Sequence, residues 1–135
     1  MLALSHALTG AFIASKTSTP ELGYLLAAAS HPLLDIFPHW DFNTRNNGDR
    51  STLRTVIISL TDAGIGFTLG LILFGTTVAW PRLLLTMFLA QLPDWLESPY
   101  HVFGWKFPPF TWVKQFQHLV HFKLSAPWGI LTQLT

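Results

Sequence analysis

The sequence predicts an all-α fold, a single small helical bundle of about four to five helices embedded in a membrane, and three observations carry that reading. Half of the 135 residues are hydrophobic and only 11% are charged, against roughly 25% in soluble domains, so a water-facing surface is short of material. The run from Val56 to Trp80 is apolar but for Asp62 and a few hydroxyls, and is long enough for a hydrocarbon core that takes about 20 helical residues to cross. Trp40, Trp80, Trp95 and Trp105 stand near segment ends, where an aromatic belt meets the membrane interface. The length suits one domain covering residues 1–135.

In chain order, Leu2 to Ser15 is apolar and rich in Ala, with Ser5 able to cap a helix that carries His6 in its first turn. It has no positive segment before it and Lys16 after it, so it reads as a retained helix rather than a cleavable signal peptide, although it is short for a full span. Thr17 to Thr19 form a turn, and Pro20 and Glu21 open a helix that continues to about Phe37. Pro32 removes one hydrogen bond inside it, giving either a kink or a restart capped by Ser30. In both cases His31 and Asp35 lie one turn apart on one face, and Pro38 ends the helix with His39 and Asp41 nearby.

Asp41 to Thr52 is a polar surface loop with Asn47-Gly48 as its turn and Ser51 or Thr52 as the next cap. On the long apolar helix, Gly66, Gly70 and Leu73 share a face with Asp62, which turns that acid toward a close-packed helix interface and a partner there. A structural hydrogen bond to a Ser or Thr is the plain alternative. Pro81-Arg82 reads as a tight turn before a second apolar helix, Leu83 to Leu96, which ends with Asp94. Glu97 and His101 follow at helical spacing, but Pro99 assigns His101 to a loop. Thr111 to Leu124 is amphipathic with His118 and His121 on one face, and Gly129 to Thr135 is a short apolar turn. With four crossings and Met1 inside, Arg45, Arg50, Arg54, Lys106, Lys114 and Lys123 are cytoplasmic and only Lys16 and Arg82 are not. The positive-inside rule then puts both termini on the cytoplasmic side of an inner or plasma membrane.

The imidazoles and acids within apolar segments are His6, His31, Asp35, His39, Asp62, Asp94 and His118, drawn from every predicted helix. Each is a cost if buried alone, and convergence on shared cations satisfies all of them. One or two divalent ions, zinc above all, suit such nitrogen and oxygen donors. A hydrogen-bonded core histidine is the bland alternative for each imidazole. The absence of Cys removes thiolate sites and disulfides. A net charge of +1 without a basic stripe disfavours nucleic acid. Gly-rich phosphate loops, Ser-His-Asp signatures and glycosidase carboxylate pairs are not recognisable.

The opening Met-Leu-Ala-Leu-Ser-His-Ala-Leu-Thr-Gly-Ala, the stretch Ser-His-Pro-Leu-Leu-Asp-Ile-Phe-Pro-His-Trp-Asp and the later Leu-Pro-Asp-Trp resemble the small helical proteins labelled membrane-bound metal-dependent hydrolases. More distantly, the chain is similar to the zinc-dependent phospholipase C and single-strand nuclease fold. The likeness covers most of the chain through short motifs, and lacks the ordered second set of His and Glu ligands of the soluble enzymes. It implies His6, His31, Asp35 and His39 as zinc ligands and, by analogy, Asp62, Asp94 and His118. Asp62 or Asp94 would bridge two metals or act as base. The implied activity is metal-assisted hydrolysis of a phosphoester, with a lipid as one candidate substrate. Two other classes stay open: a non-catalytic membrane subunit that handles ions or protons through buried His and Asp, and a holder of a His-ligated pigment or haem.

Overall fold

A computed structural model describes residues 1–40, 52–120 and 128. The expectations for Asp41, the Asn47-Gly48 turn, Ser51, His121 and residues 129–135 lie outside the described residues. The described chain is all-helical, in the order α1 (Ala3–Lys16), α2 (Pro20–Asp35), α3 (Thr52–Phe74), α4 (Trp80–Ala90), α5 (Leu92–Val102) and α6 (Phe110–Val120). Six helices therefore stand where four to five were expected.

One proline adds a helix and another moves a boundary. Pro81 does not make a turn: it sits in the first turn of α4, where a missing N–H breaks no helical bond. The chain turns earlier, after Phe74, with the Val78 N–H reaching back to Phe74 O. The helix expected over Leu83 to Leu96 is two helices, because Pro93 has no N–H for Leu89 O and the Gln91 N–H instead closes a tight turn on Phe88 O. Conversely, Pro32 and Pro99 each lie inside a continuous helix. Ser30, expected as a restart cap, instead returns its hydroxyl to Ala27 O.

Helices α1 to α4 alternate in direction. At one end Arg82, in the first turn of α4, donates from Nη2 to Thr17 O at 2.6 Å and Thr17 Oγ1 at 2.8 Å, just past the end of α1. At the other end, Ala3 of α1 meets Asp62 of α3, and His31 of α2 meets Ala90 of α4. Helix α1 is central and packs on α2, α3 and α4. Small residues permit this: a Cβ at Gly10 would stand 2.8 Å from Thr86 O and 2.9 Å from Met87 Cα, and one at Gly66 would stand 2.8 Å from Leu4 Cα. Close backbone approach of this kind is how helices associate without large side chains between them.

The buried apolar residues are mostly small, namely Ala7, Ala11, Ala14, Ala27, Ala63 and Ala90, joined by Val78, Leu83 and Met87. Large apolar residues lie outside: Leu25 is 71% exposed, Phe37 63% and Ile72 68%. Gly66 and Gly70 face the interior as expected, whereas Leu73 faces out. Helix α3, with mean hydropathy 2.0 over its most apolar window, is the one described helix long and apolar enough to cross a membrane.

Candidate metal centre

At the end of the bundle where α1 begins and α2 and α4 finish, polar side chains meet among the alanines. His6 projects from the second turn of α1, His31 and Asp35 from successive turns at the end of α2, and Asp94 from the first turn of α5. His6, His31 and Asp35 are almost fully buried, whereas the Asp94 side chain keeps 39% of its surface open. The break at Gln91 is what turns Asp94 back toward α2.

The spacings among these groups are short and regular. His6 Nε2 is 3.3 Å from Asp35 Oδ1, His31 Nε2 is 3.4 Å from Asp35 Oδ2, and His31 Nε2 is 3.6 Å from Asp94 Oδ1. Two donors held at about 2.0–2.1 Å by a tetrahedral zinc lie about 3.3–3.4 Å apart, which each His–Asp35 pair taken singly approaches, although His6 and His31 face different oxygens of Asp35. One donor atom each from His6, His31 and Asp94 also falls within 4.8 Å of the others. The two imidazoles stack, with ring centroids 3.9 Å apart and planes 15° from parallel.

Hydrogen bonding decides which nitrogens are available. His31 Nδ1 lies 2.9 Å from Ala90 O, which makes Nδ1 the donor and turns Nε2 toward the carboxylates, as in metal sites where a backbone carbonyl orients the imidazole. His6 is the most exacting case: both its ring nitrogens are buried without an aligned hydrogen-bond partner among the described residues. A neutral imidazole carries one donor and one acceptor, and leaving both unmet is costly.

The other expected residues stand around this group in different roles. His39 is buried, with Nδ1 2.7 Å from Phe37 O and Nε2 2.6 Å from the Met1 amino group. That amine also lies 2.7 Å from Asp35 Oδ1, so His39, 3.8 Å from the same oxygen, sits one layer out. Asp62 lies outside the group and accepts the Ala3 N–H at 2.6 Å. Leu2 offers α1 no side-chain cap, and Asp62 supplies one from a neighbouring helix, with its charge at the positive end of the α1 dipole. Among the described residues its hydrogen-bond partner is thus a backbone N–H of α1. His118 is exposed on α6 and lines a shallow surface cavity with Tyr100 and Lys114.

Two features of the surroundings are not in the expected set. Gln117, fully buried, donates from Nε2 to Asp94 Oδ1 at 3.1 Å and stands 3.4 Å from His31 Nε2. His101 is helical rather than in a loop, and its Nε2 lies 2.8 Å from buried Glu97 Oε1 one turn before. No protein-family model, no curated protein and no solved structure matches this chain.

Proposed function

We propose that this chain is a membrane-embedded, metal-dependent hydrolase acting on phosphoesters, with one zinc ion held by His6, His31, Asp35 and Asp94. The observation that carries the reading is His6, an imidazole sealed in the bundle with two unmet nitrogens, set beside a second imidazole and two carboxylates at ligand-to-ligand spacing. A protonated His31 would pair with both acids, but that leaves His6 unsatisfied, and a shared cation would engage its lone pair as well. Its chemistry there would be Lewis-acid polarisation of a phosphoryl oxygen. The protein's own part is to orient the His31 ring through Ala90, hold Asp94 through Gln117, and exclude water from the His6 side.

The placement of apolar bulk supports the membrane-embedded reading. A soluble bundle keeps its leucines and phenylalanines inside, whereas here alanine and glycine fill the interior and large residues cover the exterior. Between α5 and α6, Phe103, Trp105, Phe107 and Phe110 form a contiguous aromatic group with ring centroids 5.3–5.9 Å apart, a composition suited to the interface. The metal end is assigned to the cytoplasmic side on the balance of Lys and Arg, with Lys16 and Arg82 near the opposite end.

Metal analysis of detergent-purified protein tests the proposal. About one zinc per chain is expected, falling below a third of that in His31→Ala and in Asp35→Ala with helix content little changed. Hydrolysis of bis(p-nitrophenyl) phosphate should require the ion and stop on chelation. Full zinc retention in both variants would remove the site, and zinc without hydrolysis would leave a structural ion in its place.

A further inference from the structure

A cavity of about 500 Å³ opens beside the metal centre, between the first half of α3 and α5. Its inner end is formed by Asp94 and Gln91, and its walls include Val56, Ser59 and Ala63 of α3. Leu60, Val102 and Phe103 line it as well and are 54%, 37% and 67% exposed, so the mouth is largely apolar, with Ser59 and Ser98 its exposed polar residues. Asp94 belongs both to the cavity wall and to the donor group. His6, His31 and Asp35 are each no more than 1% exposed while the Asp94 side chain is 39% exposed, so the side of the centre open to a ligand is the side that faces this cavity.

From this we infer that the cavity is the substrate channel, and that it takes the single hydrocarbon chain of an amphiphile whose phosphoryl head lies against Asp94 and the ion; the head-group part rests on the metal-centre reading above. The volume is within the about 300–1,000 Å³ of ordinary small-molecule sites. At about 30 Å³ per water-sized group it holds roughly seventeen such groups, enough for one chain of about a dozen carbons and a head, but too small for two long chains. The charge pattern sets the head group. The lining carries Asp62, Asp94 and Glu97 and contains no Lys or Arg, its basic groups being the Met1 amine, already paired with Asp35, and His101, which pairs with Glu97, so an anionic head is repelled by the acids and gains its attraction from the cation. The mouth sets the route: an opening rimmed by Leu, Val and Phe on an apolar exterior admits a molecule that is already dissolved in lipid, tail and head together.

Native mass spectrometry of the purified full chain, with zinc content read on the same samples, tests both parts. Dodecyl phosphate and dodecan-1-ol are the probes, and Ser59→Trp and Val102→Trp fill the cavity from opposite walls without touching a proposed ligand. One dodecyl phosphate per zinc-loaded chain is expected, bound at least tenfold more weakly after chelation and in each Trp variant, while the variants keep their zinc. Unchanged dodecyl phosphate binding in both zinc-loaded variants would overturn the cavity assignment and leave the metal centre standing. Dodecan-1-ol binding that both variants abolish, in a chain that takes up no zinc, would keep the channel and overturn the phosphoryl head together with the metal reading. Binding of neither probe would overturn the inference outright.

Discussion

Gln117 holds the one acid of the metal centre that is open to solvent. Its amide donates to Asp94 Oδ1 and so selects a carboxylate orientation in which that oxygen faces His31. Partners of this kind typically change metal affinity 10–100-fold. Gln117→Ala is therefore expected to weaken zinc by that factor, and His118→Ala, one residue further on an exposed face, to leave it unchanged; competition against a chromogenic chelator measures both. A reversed order would show that α6 presents its other face to the site. The reason Gln117 escaped a reading of the sequence is physical. A search for groups that are expensive to bury selects ionisable side chains, and an amide is neutral. The phase of α6 held the signal: Phe110, Thr111, Val113, Lys114, Gln117 and Val120 are the less exposed set, and His118 lies one step off it. His6, His31, Asp35 and Asp94 were legible because each interrupts an apolar helix. Asp62 was legible as a buried acid but not as a cap, since its partner is a backbone N–H of α1, distant in sequence.

Among the helices, the closest approach that positions the site is α1 against α4 at Gly10. Any Cβ there meets the backbone of Thr86 and Met87, which cannot swing aside as a side chain can. Gly10→Val should cost about 1–3 kcal/mol or more of stability through overpacking, seen as a lower thermal midpoint in detergent. It should also weaken zinc, because α4 carries the Ala90 carbonyl that orients His31. A variant as stable as the parent would mean that the two helices are free to part at this point. Helix existence was legible from apolar runs and from Pro20 at a helix start. Helix boundaries were not, because proline has opposite meanings by position: Pro81 and Pro93 open helices, while Pro32 and Pro99 are carried inside them. Which applies depends on packing around the lost hydrogen bond, and that is not a local property of the sequence.

For the molecule as a whole, the decisive pattern is small residues within and large ones without. If lipid covers that exterior, a charge placed near the middle of the exposed face of α3 must meet hydrocarbon. Ile65, 49% exposed, is such a position, and Ile65→Arg is expected to lower insertion by about 2.5–3.5 kcal/mol. Measured as the fraction retained in membranes after alkaline extraction, the parent should stay and the variant should be largely released. Release of the parent chain itself would mean that another protein, not lipid, covers the leucines. Composition made the shortage of surface charge legible, but not which apolar residues face outward, since that depends on the packing of α1 against its neighbours.

The donors of the metal centre come from α1, α2 and α5, so they become available at different moments of synthesis. A ribosome delivers His6, His31 and Asp35 long before Asp94, and Gln117 last of all. An ion bound as proposed would first meet an incomplete and exchangeable set, completed only once the chain has been delivered to the end of α6. Zinc retention would then be a clock for maturation: pulse-labelled chains that still exchange the ion would be those whose C-terminal helices have yet to dock.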